Sequence, residues 1–166
     1  MSTARRVGNL SEFSPSVRLF LRAYPWRRID PVPWAPPRKP LSRSRVALVS
    51  SAALVLRGQP SFDPRVRGGD VSFREIPAGA DVRSLVDTHR SETFDHTGIA
   101  ADPNLAFPLD RLRELSSDGV IGSVAPRHFS LMGSILAPGR LIRDTAPVIA
   151  TTLANDEVDV VLLVPV

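Results

Sequence analysis

Four stretches of this chain have the hydrophobic pattern of β-strands. Residues 45–51 (RVALVSS) and 158–166 (VDVVLLVPV) are nearly continuous runs of apolar side chains, which is typical of parallel strands covered on both faces. Residues 70–77 alternate imperfectly between apolar and polar positions, and residues 120–126 form a short apolar segment. The pattern predicts four strands, the first of which ends in small hydroxylated residues, as is common at the carboxyl edge of an open α/β sheet.

Three segments have the spacing of helices. Residues 14–23 begin with a serine that can cap a helix and a proline that suits the first turn. Residues 108–119 place three leucines at helical spacing between an initial proline and a final glycine. Residues 141–156 predict a third helix, which bends or begins at Pro147. This order of strands and helices predicts an α/β fold with a largely parallel sheet and flanking helices.

The last predicted strand has no predicted helix after it to cover one of its faces. Parallel strands are joined by crossover connections, usually helices, yet residues 158–166 are the last of the sequence. One face of the strand would then lack its cover. We therefore expect a Rossmann-like or flavodoxin-like half that is incomplete at the C-terminus.

The N-terminal part of the chain differs in composition from the rest. Six prolines and two tryptophans fall within residues 24–40, which favours an extended path over regular structure. Ten basic and two acidic residues give residues 1–45 a net charge of +8, whereas 11 basic and 15 acidic residues give the remainder −4. We predict a basic Pro/Trp-rich arm with a short helix over residues 1–43, and a truncated α/β domain over residues 44–166.

The arginines of the arm allow two interpretations. Arginine favours planar, bidentate partners such as carboxylates or phosphates, so the arm could bind nucleic acid. The basic residues are scattered between prolines and tryptophans instead of sharing one helical face. That distribution favours a segment that lies on the acidic body of its own domain, and nucleic acid is not the expected partner.

Composition also narrows the chemistry and the location. The sequence has no cysteine, which excludes a disulfide, a thiolate metal site and a thiol nucleophile within these residues. No apolar run approaches the roughly 20 residues that cross a bilayer. The Arg5–Arg6 pair is followed by a polar segment instead of the apolar core of an export signal. We expect a cytoplasmic protein without a membrane partner.

The polar residues 88–104 hold most of the candidate ligands. Histidine and carboxylate side chains can bind zinc or iron, but their spacing here matches no HExxH or paired-cysteine signature. Two interpretations follow. The residues are charged loop side chains paired with neighbouring arginines, which the spacing favours, or they form a metal-dependent hydrolase built on His89, Asp95, His96 and His128.

Residues 125–133 (APRHFSLMG) also leave two interpretations open. In one, Arg127 and His128 stand at the exit of a strand and face the crevice of the sheet; in the other, His128 caps a loop. No GxSxG elbow is present, and the Gly68–Gly69 pair lacks the helix that follows a dinucleotide fingerprint. The sequence therefore predicts neither a serine hydrolase nor a phosphate-binding loop.

Five stretches, taken in order, carry more information than any one of them. They are SRVALVSSAAL (44–54), GQPSFD (58–63), GGDVSFREIP (68–77), FDHTGIAADPNLAFPLDRLRELSSDGVIGSVAPRHFSLMG (94–133) and VDVVLLVPV (158–166). Together they resemble the selenoprotein B family, the catalytic subunits of the glycine, sarcosine, betaine and D-proline reductases. The resemblance runs from about Pro33 to the last residue.

The resemblance implies an explanation for the terminal strand. In that family the matching strand leads into a selenocysteine or cysteine, commonly as U-x-x-C or C-x-x-C, and then into a helix. Selenocysteine is encoded by UGA, which gene-calling software ordinarily reads as a stop. We expect the nucleophile immediately after Val166, so that this chain is an inactive N-terminal fragment. It then holds no cofactor, and selenocysteine is expected in the full-length product.

The resemblance also implies a reaction and its partners. The selenolate attacks the carbon bonded to an activated amine, displaces ammonia or an amine, and leaves a selenoether. A thiol carrier protein takes over the carbon fragment, and thiol exchange regenerates the site. A pyruvoyl-containing subunit is the implied partner that holds the amine. The expected activity is that of an oxidoreductase acting on a small amine or amino-acid substrate.

Site residues follow from the same resemblance. Ala52 and Ala53 depart from the family, whose strands often continue here into a glycine-containing turn. No metal ligand is expected for this reaction. The residues that we expect to line the substrate pocket are Asp95, His96, Asp102, Asn104 and His128.

Overall fold

The computed structural model describes residues 10–25, 28–33, 35–91 and 96–166. The chain divides into two compact units, Met1–Pro36 and Pro37–Val166. None of the helices in these described ranges is long and apolar enough to cross a membrane. Asp95, one of the predicted pocket residues, lies outside the described residues.

The first unit contains helix α1, Pro15–Ala23. Ser14 caps it, because its hydroxyl oxygen accepts a hydrogen bond from the N–H of Val17 at 3.4 Å. Pro15 occupies the first turn, where the missing N–H group has no helical partner to lose. The helix predicted over residues 14–23 is confirmed.

The second unit consists of short strands and helices in alternation. Its strands are β1 (Arg45–Ser50), β2 (Leu54–Val55), β3 (Phe73–Pro77), β4 (Val86–Asp87), β5 (Ser123–Val124), β6 (Arg127–Leu131) and β7 (Val160–Val164). Its helices are α2 (His96–Ala101), α3 (Leu109–Ser117) and α4 (Ala146–Asn155), with a π-helical turn over Leu141–Thr145 and 3-10 turns over Leu41–Arg43, Val82–Ser84 and Pro103–Leu105.

β1 lies at the centre of the main sheet. β7 pairs with it in parallel over five residues. β5 and β6 also pair with β1 in parallel, at its first and last residues respectively. Because β7 spans both of these regions, β5 and β6 share the opposite edge of β1. β3 runs antiparallel along the outside of β6, and β2 and β4 form a separate antiparallel pair. The α/β fold with a mostly parallel sheet is confirmed.

Most predicted elements appear close to their expected bounds. The strands at residues 45–51 and 158–166 and the helix at residues 108–119 are confirmed as β1, β7 and α3. The predicted strand at residues 70–77 is shorter and begins at Phe73. The third predicted helix is a π-helical turn that leads into α4, whose second residue is Pro147.

Helices cover both faces of the sheet at its centre. Successive residues of a strand point to opposite faces, so Leu48 packs in the cluster that contains Leu112 of α3. Ala47 packs in the cluster that contains Phe129 of β6 and Ile149 of α4. The core therefore has two layers, one on each side of β1 and β6.

α3 and α4 end in the same way. The N–H groups of the two residues beyond each C-cap donate to carbonyl groups of the last turn at 2.9–3.2 Å, which is the Schellman motif. The residue in the left-handed position is Gly119 after α3 (φ 72°) and Glu157 after α4 (φ 55°). Only the first of these is a residue that adopts this conformation without strain.

Candidate functional site

The carboxyl ends of β1 and β7 lie side by side. Ser51 follows β1, and its hydroxyl oxygen accepts a hydrogen bond from the N–H of Val166 at 2.9 Å. The N–H of Ser51 donates to the carbonyl oxygen of Val164 at 3.1 Å. The chain leaves β1 toward the β5/β6 side, whereas the connection from β6 crosses β1 to reach β7. This is the topological switch point, where open α/β sheets bind their ligands.

Gly133 brings the loop after β6 against the same edge. A Cβ atom at this position would lie 2.8 Å from the carbonyl oxygen of Ser51 and 2.9 Å from that of Val166, closer than real Cβ contacts. Glycine is therefore required for this approach. We call the place where these three residues meet, Ser51, Gly133 and Val166, the β1–β7 crevice.

The loop after Gly133 is fixed by two neighbouring segments. The guanidinium of Arg90 donates to the carbonyl oxygen of Ser134 at 2.6 Å. The N–H of Ala137 donates to the carbonyl oxygen of Gly68 at 3.1 Å, and the N–H of Gly69 donates to that of Val66 at 3.0 Å. The Gly68–Gly69 pair is thus part of a turn that supports one wall of the crevice.

The turn that leaves β1 is built with alanine. Ala53 has a left-handed backbone (φ 54°), the conformation that favours glycine. The hydroxyl of Thr88 donates to its carbonyl oxygen at 2.6 Å, which ties this turn to the segment after β4. Where the resembled family often has a glycine-containing turn, this chain therefore has an alanine in the left-handed conformation.

Two of the predicted pocket residues come together before α3. The carboxylate of Asp102 accepts hydrogen bonds from the backbone and side-chain N–H groups of Asn104 at 3.0 and 3.1 Å. The side chain of Asn104 also donates to Asp110 at 3.0 Å, and Asp110 pairs with Arg113 at 2.5 Å. These side chains form a continuous polar network at the start of α3.

Asp102, Asn104 and Asp110 line a polar cavity of about 380 Å³, together with Arg83 and Arg111. Because carboxylates and guanidinium groups both face it, the cavity can bind a small molecule that carries both charges. A second cleft, of about 430 Å³, lies between residues 66–73 and 140–148 and contains none of the predicted pocket residues.

Ser50 connects this cavity to the carboxyl edge of the sheet. Its hydroxyl donates to the carbonyl oxygen of Ala106 at 2.6 Å and accepts from the N–H of Ala52 at 3.2 Å. Ala106 follows directly after the 3-10 turn that carries Asn104. The segment with Asp102 and Asn104 is therefore held against the end of β1.

His96 lies at the other end of α2 from Asp102. Its Nδ1 is 2.5 Å from the carboxylate of Asp87, and its Nε2 is 3.0 Å from the carbonyl oxygen of Ser91. Both nitrogens face acceptors, so only the protonated ring satisfies both contacts. Burial lowers the pKa of neighbouring His89; Asp87 opposes this effect, and the charges of His96 and Arg90 add to it.

The structure corrects both interpretations of His128. The residue lies inside β6 and is 0% exposed, so it neither stands at a strand exit nor caps a loop. Its Nδ1 accepts a hydrogen bond from the N–H of Leu48 at 3.0 Å. Burial, with a smaller effect of the Arg113 charge, lowers its pKa to about 4. His128 is a neutral residue of the core.

The proposed metal ligands are spread over three places. His89 and His96 flank Asp87, His128 is in the core, and Asp95 is outside the described residues. Across the residues that the structure describes, no group of three or more His, Cys, Asp or Glu side chains could hold a metal ion.

The sequence did not predict several residues of the cavity before α3 and of the β1–β7 crevice. Asp110 and Arg113 have the pattern of ordinary polar positions on an amphipathic helix. The apolar pattern predicts residues 50–51 only as the end of a strand, and the contact of Ser51 with Val166 depends on the register of β1 and β7. A glycine directly after a segment with strand pattern was the one available signal for Gly133.

Comparison with known proteins adds the family. Residues 16–166 match the model of the glycine/sarcosine/betaine reductase selenoprotein B family. D-proline reductase subunit gamma of Acetoanaerobium sticklandii is 35% identical over 136 residues, which are 81% of this chain and 54% of the relative. Glycine reductase complex component B subunit gamma of Symbiobacterium thermophilum is 32% identical over 143 residues, 84% of this chain and 32% of the relative.

Sarcosine reductase complex component B subunit beta of Peptoclostridium acidaminophilum is 33% identical over 116 residues, 69% of this chain and 26% of the relative. The chain thus spans about half the length of the first of these relatives and about a third or a quarter of the others. No solved structure matches it significantly. The resemblance expected from the sequence is confirmed, and the chain belongs to the glycine/sarcosine/betaine reductase selenoprotein B family.

Proposed function

We propose that this chain is part of an oxidoreductase that cleaves a C–N bond of a small amine or amino-acid derivative, with a selenol or thiol as nucleophile. Membership of the selenoprotein B family is the observation that carries the proposal. The relatives are named as reductases of D-proline, glycine and sarcosine. In all three compounds a nitrogen is bonded to the carbon next to a carboxylate. The proposed reaction breaks this C–N bond.

The proposed nucleophile comes from outside residues 1–166, because the sequence contains no cysteine. Our proposal is that a selenocysteine or cysteine directly follows Val166. The β1–β7 crevice supports this position, since ligands of open α/β sheets bind at the switch point. A helix that began there would also favour the anionic selenolate or thiolate through its N-terminal N–H groups.

In the proposed step the selenolate or thiolate attacks the carbon that bears the activated amine. A C–Se or C–S bond forms, the C–N bond breaks, and the nitrogen takes up a proton. The nitrogen leaves as ammonia or an amine from an open-chain substrate and stays attached to the carbon chain in cyclic D-proline. A thiol carrier protein then takes over the carbon fragment, and oxidation of two thiols to a disulfide supplies the two electrons. A pyruvoyl-containing subunit is the proposed partner that activates the amine. Thiol exchange of this kind supports the cytoplasm as the location.

The cavity before α3 is the proposed place for the charged ends of the substrate. Asp102 and Asp110 suit an ammonium group, and Arg83 and Arg111 suit a carboxylate. Ser50 supports this role, because it holds the cavity segment against the carboxyl end of β1.

The coding DNA tests the proposed position of the nucleophile. We expect a UGA or cysteine codon immediately after the codon for Val166, followed by an open frame with a nearby cysteine codon. Successive ordinary stop codons with no downstream frame would contradict the proposal.

The product of that longer frame tests the reaction itself. Expressed with selenocysteine insertion and supplied with a dithiol and its partner proteins, it should release ammonia or an amine from glycine, sarcosine or betaine, or open the ring of D-proline to 5-aminopentanoate. Replacing the reactive residue by serine should abolish release, because an alkoxide is not available near neutral pH. Equal release by the serine variant would exclude the selenol or thiol mechanism.

A further inference from the structure

Two of the four charged side chains that line the cavity before α3 already have a counterion. Asp110 lies 2.5 Å from Arg113, and Arg111 lies 2.8 Å from Glu114. All four residues belong to α3. The charges that α3 presents to the cavity are therefore balanced within the helix.

The other two charged side chains of the cavity, Arg83 and Asp102, form no ion pair with any residue that the structure describes. The backbone N–H of Arg83 donates to Asp81 at 3.0 Å, but its guanidinium has no acceptor within the described ranges. Oδ1 of Asp102 accepts both hydrogen bonds from Asn104, whereas Oδ2 accepts none from these residues. The cavity thus offers one uncompensated cation and one carboxylate with an unused acceptor atom.

Asn104 fixes the carboxylate of Asp102 in place. Its amide nitrogen donates to Asp102 at 3.1 Å and to Asp110 at 3.0 Å, and its amide oxygen accepts from the N–H of Asp110 at 3.1 Å. Both N–H groups and the oxygen of the amide are therefore used inside the protein. Asn104 positions Asp102, and the unused Oδ2 is the acceptor that a ligand can reach.

The rest of the lining suits an amine that carries a hydrogen. A quaternary ammonium group cannot donate a hydrogen bond, and proteins bind it with aromatic faces. None of the lining residues that the structure describes is aromatic; beyond the polar side chains they are Ala100, Ala101 and Pro103. An N–H group, in contrast, can form a charge-assisted hydrogen bond with a carboxylate.

We infer that this cavity binds amino acids whose nitrogen carries at least one hydrogen and discriminates against fully methylated amines. Arg83 binds the carboxylate of the ligand, and Oδ2 of Asp102 accepts a hydrogen bond from its nitrogen. The inference rests on the proposed function for the class of substrate. It narrows that class by separating glycine, sarcosine and D-proline from betaine.

A series of methylated glycines tests the inference. Glycine, sarcosine and N,N-dimethylglycine each keep at least one N–H group in their charged form, and betaine keeps none. Calorimetry on the chain as its gene encodes it, without dithiol or partner proteins, should give similar dissociation constants for the first three. Betaine should bind at least about tenfold more weakly, because it loses a charge-assisted hydrogen bond. A steady loss of affinity along the series would indicate exclusion by size and contradict the inference.

Three variants assign the effect to the two side chains. Asp102→Asn keeps an oxygen for Asn104 but removes the charge and the second acceptor, so betaine and N,N-dimethylglycine should bind alike. Arg83→Gln should weaken glycine binding at least about tenfold. The matched control is Arg57→Gln, at an exposed arginine in the turn after β2; it should leave glycine binding unchanged. Thermal unfolding at the wild-type temperature shows that each variant is folded.

Binding and reaction together separate this inference from the proposed function. The expected binding pattern without any C–N cleavage would contradict the proposed function alone. Cleavage with equal binding of betaine and N,N-dimethylglycine would contradict the inference alone. No binding of any member of the series, wild-type affinity for glycine in Arg83→Gln, or an equal loss in Arg57→Gln would each overturn the inference.

Discussion

His128 replaces a backbone acceptor in the centre of the sheet. β5 and β6 follow the same edge of β1 but are separated by Ala125 and Pro126. At this interruption the N–H of Leu48 bonds to the imidazole of His128 instead of to a carbonyl group. A polar residue that is buried for this reason has no signature in the hydrophobic pattern, so the pattern alone cannot predict that His128 lies inside β6.

Replacing this imidazole should destabilise the fold. His128→Leu has a similar volume and leaves the N–H of Leu48 buried without an acceptor, but it also removes the buried Nε2 of His128, which has no partner among the described residues. We therefore expect a net loss of only about 1 kcal/mol in the free energy of unfolding, the contribution of one hydrogen bond. Urea unfolding at neutral pH measures it. His128→Asn is the matched control, because its amide oxygen can take the place of Nδ1. Equal stability of wild type and His128→Leu would contradict the structural role.

The ends of α3 and α4 place different residue types at the same left-handed backbone position. Gly119 and Glu157 occupy the same left-handed place in two Schellman motifs. A side chain strains this conformation, and glycine does not. The ion pair of Glu157 with Arg45 is largely exposed and contributes little to stability.

Opposite effects are therefore expected at these two positions. Glu157→Gly should raise the free energy of unfolding by about 1 kcal/mol, and Gly119→Ala should lower it by a similar amount. A Cβ at Gly119 meets no atom within 4 Å, so backbone strain alone causes the loss. Thermal unfolding of the two variants against wild type measures both shifts. A loss of stability in Glu157→Gly would show that its side chain outweighs the strain.

At the level of elements, the sequence predicted what apolar runs can specify. β1 and β7 follow from continuous apolar runs, and α3 follows from leucines at helical spacing. β6 was missed because His128 and Ser130 interrupt its pattern, although both are 0% exposed. β2 and β4, with two residues each, are too short to leave a pattern.

The candidate site was predictable only in part, for a similar reason. Asp102 and Asn104 were identified through the resemblance, and the structure places them in one polar network. The β1–β7 crevice depends on strand register and on the close approach of Gly133. Such contacts join distant parts of the chain, and no local pattern encodes them.

For the whole molecule, the buried imidazole makes stability depend on pH. The pKa of His128 is lowered from 6.5 to about 4 in the folded protein, so the unfolded chain binds more protons between these values. The contribution of neutral His128 is complete above pH 6.5 and is lost progressively as the pH falls toward 4. The expected total is up to roughly 3 kcal/mol.

Urea unfolding of wild type and His128→Leu between pH 7 and pH 4 isolates this contribution. The stability of wild type relative to the variant should decrease over that range, because only wild type can take up the proton. His89, whose pKa is also lowered, is present in both proteins and cancels. A constant difference across the range would mean that His128 titrates alike in the folded and unfolded chain.

The central place of β1 determines when the sheet can form during synthesis. Its contacts reach far along the chain: Leu48 bonds to a side chain 80 residues later, and Ser51 bonds to a backbone group 115 residues later. Folding rates fall as contacts become less local. On the ribosome, β1 therefore emerges long before either neighbour exists, and both of its edges stay open until residues 127–131 and then 160–164 have left the exit tunnel.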